Sequence, residues 1–281
     1  MRLLTVPSRQ GVSWVRRGFQ VFLRQPLAFC GLFACFLFVV FLLTLLPFVG
    51  PVLLLALLPL GSLGFMIATR VALQGRFPLP RSFVEPLRSG AARARAILIL
   101  GIVYAVCSLL IIWLSDWVDG GTLEALMDLL SGGKATPDSV AQQLGDPRLA
   151  IGLLLRFGLA ALLSVPFWHA PALVHWGAQG VAHSLFSSTL ACWRNRGAFT
   201  LFGLAWTGVV LAFALVANIA AALLGQTQLI ALLAMPASLI LSTVFYASLY
   251  FTFDDCFELP DTARAAIPQP DAAAAPPTDP S

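Results

Sequence analysis

Six long apolar runs constrain this chain more than any other feature. Each holds about 20 residues, the number that a helix needs to cross the roughly 30 Å hydrocarbon core of a bilayer. Hydrophobic residues make up 59% of the chain, charged residues 11%, and the mean hydropathy is +0.87. Soluble domains are about 45–50% apolar and about 25% charged, so a soluble globule is excluded. We therefore predict an all-α polytopic membrane protein with six transmembrane helices, near residues 27–46, 52–73, 96–114, 149–171, 198–224 and 229–252.

The connections between these runs predict three helical hairpins in a single membrane domain, residues 1–259. Short links at 47–51 and 225–228 join the first and the third pair. An acidic external loop, residues 115–148, joins the middle pair, with a weak helix expected from Thr122 to Leu130 and another turn starting near Pro137. Residues 260–281 are rich in Pro, Ala and Asp, and we expect them to form a disordered cytoplasmic tail.

Arginine is distributed unevenly around the apolar runs. The chain has sixteen arginines and one lysine, Lys134, and most arginines precede the first run, follow the second, or lie between the fourth and the fifth. Short loops that carry Arg and Lys stay in the cytoplasm. This rule predicts that both termini are cytoplasmic (N-in, C-in) and that the acidic loop is external.

A basic interfacial helix is predicted before each hairpin. In the first, Val12, Val15, Phe19 and Phe22 form an apolar stripe, and Trp14 suits the headgroup depth. The second is expected to begin at a capping box, residues 82–85, and the third to cover residues 178–195.

The arginines of these helices are the candidate lipid-binding residues. They flank membrane spans instead of forming a soluble basic patch, so we expect anionic membrane lipids, and no nucleic acid, as partners. The set consists of Arg9, Arg16, Arg17, Arg24, Arg88, Arg93 and Arg95.

A second candidate site lies inside the membrane. Arg156 falls within the fourth span, where a charge near the bilayer centre costs about 2.5–3.5 kcal/mol on insertion scales. Its side chain is expected either to reach outward to Asp116 or Asp119, or to line a polar cavity for an anionic solute. His169, within a proline-flanked break of the same span, and Asn218 in the fifth span complete this candidate polar site.

Nothing in the chain indicates catalysis, and we expect no enzyme activity, no cofactor and no metal site. The nucleophile-elbow, Walker A, HExxH and dinucleotide glycine patterns do not occur. The five cysteines lack metal-ligand spacing.

The acidic pair Asp254-Asp255 is expected to bind Arg70 or Arg76, with proton coupling as the alternative.

Several local sequences resemble a family of proteobacterial inner-membrane proteins known from Burkholderia and its relatives. They are residues 6–11 (VPSRQG), 24–27 (RQPL), 62–65 (SLGF) and 68–70 (ATR). The chain is more distantly similar to YciC-type proteins and to the membrane domain attached to some glycerophosphodiester phosphodiesterases, whose catalytic domain is not present here. The resemblance implies a multi-pass protein of the bacterial inner membrane, and it carries over no catalytic residue.

These observations favour a non-catalytic integral membrane protein that acts through lipid or protein contacts in envelope organisation. A protein partner or a homo-oligomer is a further expectation. The alternative is a small-solute transporter or channel with a site near Arg156, which would require a water-accessible cavity reaching that residue.

Overall fold

Helices account for nearly all the secondary structure in a computed structural model of the protein, which describes residues 1–132, 136–225 and 228–258. Two short strands lie at the ends of this part of the chain, and a 3₁₀ turn covers Pro80–Phe83. In chain order the elements are β1 Arg2–Leu3, α1 Gln10–Arg24, α2 Pro26–Thr44, α3 Val49–Leu73, α4 Glu85–Arg88, α5 Ala91–Asp119, α6 Thr122–Ser131, α7 Pro137–Leu144, α8 Pro147–Phe167, α9 Ala170–Gly177, α10 Val181–Arg194, α11 Arg196–Leu224, α12 Gln228–Cys256 and β2 Phe257–Glu258.

The six predicted membrane spans are confirmed as helices. Among the described residues, six helical segments are long and apolar enough to cross a bilayer, and they correspond to α2, α3, α5, α8 with α9, α11 and α12. Proline stands in the first turn of α2 and of α8, where its missing N–H has no cost. The predicted tail, residues 260–281, lies outside the described residues, as does Lys134.

The spans pack as neighbouring pairs around two central helices. α2 packs against α3, α5 against α8, and α11 against α12, which are the pairs that the connections predict. α3 also lies between α5 and α12, so α3 and α12 supply much of the buried core.

α1 is not the surface helix that the sequence predicts. It packs along α11 and α12, and Trp14, expected at headgroup depth, is fully buried between them. Gly11 and Gly18 allow the close approach: a Cβ on Gly11 would lie 2.1 Å from the Ala198 carbonyl oxygen. Val12, predicted on the apolar stripe, faces outward instead. The apolar face of α1 is therefore covered by protein and not by lipid.

The other two predicted interfacial helices differ from each other. The third is present as α10, Val181–Arg194. The second is absent as a continuous helix, because the chain makes only the 3₁₀ turn and the single-turn α4, with no capping hydrogen bond from Ser82. Pro86 removes a backbone donor that a helix starting at Ser82 would need, and Gly90, with a φ of +114°, separates α4 from α5.

The acidic connector folds into two short helices over the ends of α5 and α8. α5 continues to Asp119 and ends at Gly120, which has a φ of +65°. α6 and α7 follow near the predicted positions, and Thr136 caps α7 together with Ser139. α6 and α7 both pack against α8.

Candidate functional site

The basic end of the bundle is the end at which α12 finishes and α11 begins, with α1 lying against both. Its centre is Asp255 at the last turn of α12. The Trp14 indole Nε1 donates to Asp255 Oδ2 at 2.8 Å and Gln10 Nε2 donates at 2.5 Å. Arg17 Nη1 donates to both carboxylate oxygens, at 2.8 and 2.9 Å. Gln10, Trp14 and Arg17 converge because spacings of four and three place them on one face of α1.

Arg17 is consequently not a free lipid-facing residue, although it belongs to the predicted lipid-binding set. Besides Asp255, it lies 3.7 Å from Asp254 Oδ2, and its guanidinium lies 4.2 Å from the centroid of the Phe251 ring. We predicted Arg70 or Arg76 as partners of this acid pair. Arg17 forms ion pairs with both carboxylates, and the charge of Arg70 also acts on Asp254. Arg70 lies with its guanidinium 5.6 Å from the Trp176 ring.

A second cluster ties the N-terminal residues to the basic end. Asn195 lies between α10 and α11, where its Oδ1 accepts from the Val6 N–H at 2.8 Å and its Nδ2 donates to the Leu4 carbonyl at 3.1 Å. β1 pairs antiparallel with β2, and the Leu4 N–H donates to the Cys256 carbonyl at 2.9 Å. The first residues of the chain are thus hydrogen-bonded to the last described residues.

The remaining arginines of the predicted lipid-binding set are exposed. They are Arg9, Arg16, Arg24, Arg88, Arg93 and Arg95. Close to them, Arg70, Arg76 and Arg81 line a cavity of about 320 Å³, together with Glu85 and Trp176. This end therefore presents Arg17 bound to the acid pair, a surface of exposed arginines and a pocket lined by three more arginines.

Arg156 is bonded to the end of the neighbouring helix. Its Nε donates to Ser115 Oγ at 2.9 Å, and its Nη2 forms an ion pair with Asp116. Asp119, the other partner considered, is buried and accepts from the Gly121 N–H. Arg156 therefore reaches outward to Asp116, one of the two partners considered. It does not line any of four cavities formed by the described residues.

The other two members of the candidate intramembrane site lie elsewhere. His169 is fully buried at the junction of α8 and α9, where its Nε2 lies 3.3 Å from Thr252 Oγ1 and its backbone N–H donates to Ser188 Oγ. Asn218 is exposed and donates to the Ala214 carbonyl of its own helix. The four predicted residues do not form one site: only Arg156 and Asp116 contact each other.

The proline-flanked break is a bend between helices. α8 ends at Phe167, and α9 begins at Ala170 with Pro171 in its first turn. Ser188 Oγ donates to the Val165 carbonyl, so α10 satisfies one acceptor at the bend.

Cys192 also packs here, and burial raises the pKa of its thiol to about 12. Because only the thiolate is a good nucleophile, this cysteine is inert near neutral pH.

Trp14, Asn195 and Trp206 are the residues that sequence reasoning missed. Trp14 was assigned to the headgroups, although its spacing from Gln10 and Arg17 could have indicated a shared partner. Asn195 carried no pattern, because its partners Val6 and Leu4 are far away in sequence. Trp206 lies in an apolar run where every face of the helix looks alike.

Among the described residues, no group of three His, Cys, Asp or Glu side chains could hold a metal ion.

The chain was compared with known proteins through family models, solved structures and curated sequences. No family model and no solved structure matches it. A probable inner membrane protein of Burkholderia thailandensis is 35% identical over 271 residues, which cover 95% of this chain and 98% of the relative. Identity of this extent over nearly the whole chain reflects common descent. The protein therefore belongs to the same family of multi-pass inner-membrane proteins as this Burkholderia protein.

Proposed function

We propose that the protein is a non-catalytic membrane component that binds anionic lipids through the basic end and acts in the organisation of the cell envelope. The observation that carries the proposal is the contrast between Arg17 and its neighbours. Asp255 and Asp254 neutralise Arg17, whereas Arg9, Arg16 and Arg24 of the same helix are exposed. Three further exposed arginines, Arg88, Arg93 and Arg95, flank the start of α5.

The charge at this end is large enough to matter. Each arginine near an anionic leaflet contributes about 1 kcal/mol of attraction, and the effect fades within a Debye length. Six exposed arginines on one end of a membrane bundle therefore favour anionic over zwitterionic headgroups by several kcal/mol at most. The cavity lined by Arg70, Arg76 and Arg81 adds a place where a single phosphate group can be held by more than one guanidinium.

The positive-inside rule places this end in the cytoplasm, with both termini inside, and we retain that orientation as part of the proposal. The anionic lipids would then be those of the cytoplasmic leaflet. A protein partner or a second copy of the chain would bind in the membrane plane, where α8 and α11 have little of their apolar surface covered.

The test compares lipid-dependent stability of the purified full-length protein in detergent. Phosphatidylglycerol should raise the melting temperature more than phosphatidylcholine does, because a ligand that binds only the folded state stabilises it. Changing Arg16, Arg93 and Arg95 together to Gln should remove most of this difference. Arg148→Gln, at the opposite end of the bundle, is the matched control and should keep it. Equal stabilisation by both lipids, or a triple variant that responds like the unchanged protein, would refute the proposal.

A small-solute transporter or channel is the alternative function that the sequence analysis left open, but no observation among the described residues favours it. Arg156, its key residue, is occupied by Ser115 and Asp116, and Asn218 bonds to its own helix. Cysteine-accessibility labelling at position 156 tests it directly, because a transport site requires that position to be reached by a water-soluble reagent.

A further inference from the structure

A crevice separates α8 from α11 at the basic end. α8 packs against α5 and α10, whereas α11 packs against α1 and α12. The spans formed by α8 with α9 and by α11 are the least buried of the six, with 11% of the most apolar stretch of each buried by protein. Between them lies a cavity of about 460 Å³, with Val165 of α8 on one wall and Phe199 and Gly203 of α11 on the other. Because both helices are membrane spans, this crevice opens sideways to lipid.

The floor of the crevice is a fixed aromatic surface. Trp168 packs edge-on against Phe202 and Phe245, with ring centroids 5.9 and 6.2 Å apart, and Phe245 packs against Trp206 at 5.6 Å. Two further cavities adjoin it at shared side chains: one of about 560 Å³ shares Trp206 and Phe245, and one of about 210 Å³ shares Trp168 and Phe245. Apolar surface therefore extends beyond the first cavity.

Trp206 forms part of the wall of two cavities. The residue is only 8% exposed, and its ring lines both larger cavities. Its indole Nε1 is enclosed by protein and has no acceptor among the described residues. Trp206 therefore contributes apolar ring surface to the crevice.

The mouth of the crevice carries a positive charge. Arg196 and Trp193 line it, with the exposed Arg196 guanidinium 5.8 Å from the Trp193 ring. Arg196 begins α11, and Trp206 follows ten residues later, about 15 Å along the axis. Trp206 therefore lies well below the entrance. The arrangement has an anion-binding entrance and an apolar aromatic surface below it.

We propose that this crevice binds one anionic diacyl phospholipid of the surrounding membrane. Its phosphate binds Arg196, and one acyl chain lies along Trp168, Phe202 and Phe245 toward Trp206. This inference rests on the proposed lipid-binding function but adds a defined site that differs from the exposed arginines of α1 and α5.

The experiment measures binding of phosphatidylglycerol and of phosphatidylcholine to the purified full-length protein by native mass spectrometry. The unchanged protein should prefer phosphatidylglycerol. Arg196→Gln should reduce this preference about fivefold, the value of one arginine near an anionic headgroup. Arg148→Gln, at the opposite end of the bundle, is the control and should keep it.

A pair of glycines on α11 provides a steric test that does not depend on Arg196. A Cβ on Gly203 or on Gly208 would meet nothing within 4 Å, but only Gly203 lines the crevice. Gly203→Leu should therefore block the lipid, and Gly208→Leu should leave binding unchanged.

The site and the proposed function fail in different ways. If Arg196→Gln and Gly203→Leu bind both lipids like the unchanged protein, the crevice site is refuted, even when the Arg16, Arg93 and Arg95 variant still loses its lipid response. If that triple variant shows no loss but Gly203→Leu does, the crevice stands and the arginine surface is refuted.

Discussion

The guanidinium of Arg17 and the carboxylate of Asp255 bond at 2.8 and 2.9 Å across a sequence separation of 238 residues. The contact joins the first helix of the chain to the last, and Trp14 and Gln10 donate to the same carboxylate. Because α1 turns Arg17 toward Asp255 and leaves Arg16 exposed, one short helix can both close the bundle and present charge to the membrane.

Removal of the Arg17 side chain should destabilise the protein, whereas removal of its neighbour should not. Arg17→Gln takes a charged donor from a half-buried carboxylate, and hydrogen bonds to charged groups contribute about 1.5–3 kcal/mol. Arg16→Gln, on the exposed face of the same helix, is the control and should stay within about 0.5 kcal/mol. Equilibrium unfolding in mixed micelles checks this. Equal losses in the two variants would show that the Arg17–Asp255 contact does not stabilise the fold.

Asn195→Ala should release the N-terminal residues without unfolding the membrane helices. The substitution removes the acceptor for the Val6 N–H and the donor to the Leu4 carbonyl. We expect faster amide hydrogen exchange over residues 2–6. Asn218→Ala is the matched control, because that amide bonds only to the Ala214 carbonyl. Unchanged exchange in Asn195→Ala would mean that the β1–β2 pairing alone holds this segment.

Gly11→Ala should disrupt the packing of α1. The added Cβ would lie 2.1 Å from the Ala198 carbonyl oxygen and 2.6 Å from the Phe202 nitrogen, so the helices must separate. Overpacking of this kind costs about 1–3 kcal/mol. Gly31→Ala on α2, where a Cβ meets nothing within 4 Å, should be neutral or slightly stabilising. Thermal melting distinguishes the two, and a Gly11→Ala protein as stable as Gly31→Ala would contradict the close approach of α1 and α11.

The Arg156–Asp116 pair should show strong coupling in a double-mutant cycle. Asp116→Ala leaves an arginine within a membrane span without its counter-ion, so it should cost more than Arg156→Leu, which removes the charge. The double variant should recover much of the loss of Asp116→Ala. Stability in lipid bilayers is the measurement. Additive effects would indicate that the two side chains do not depend on each other in the membrane.

Much of the helical architecture could be predicted because hydropathy acts locally. The runs that became α2, α3, α5 and α11 were each recognisable from about 20 consecutive residues, and Gly120 and Pro147 lie where helices end and begin. The outward reach of Arg156 followed in the same way, since a charge within an apolar span has few polar groups near enough to meet.

The site residues were less predictable because apolar helices hide their buried face. In lipid, the residues that face neighbouring helices are as apolar as those that face the acyl chains. Nothing along α11 distinguishes Trp206, which lines a crevice, from the equally apolar and exposed Leu204. The amphipathic pattern of α1 was recognisable, but protein and lipid cover an apolar stripe equally well, and the pattern does not say which of them does so.

The sequence by itself determined that this is a six-span helical membrane protein, with its arginines gathered at one set of helix ends. Tertiary structure alone decided which arginine is neutralised, that α1 lies within the bundle, and that α8 and α11 stand apart. The physical reason is the distance along the chain over which each effect acts. Membrane insertion depends on the summed transfer free energy of neighbouring residues, whereas the pairing of Arg17 with Asp255 and the position of Trp206 depend on how distant helices pack.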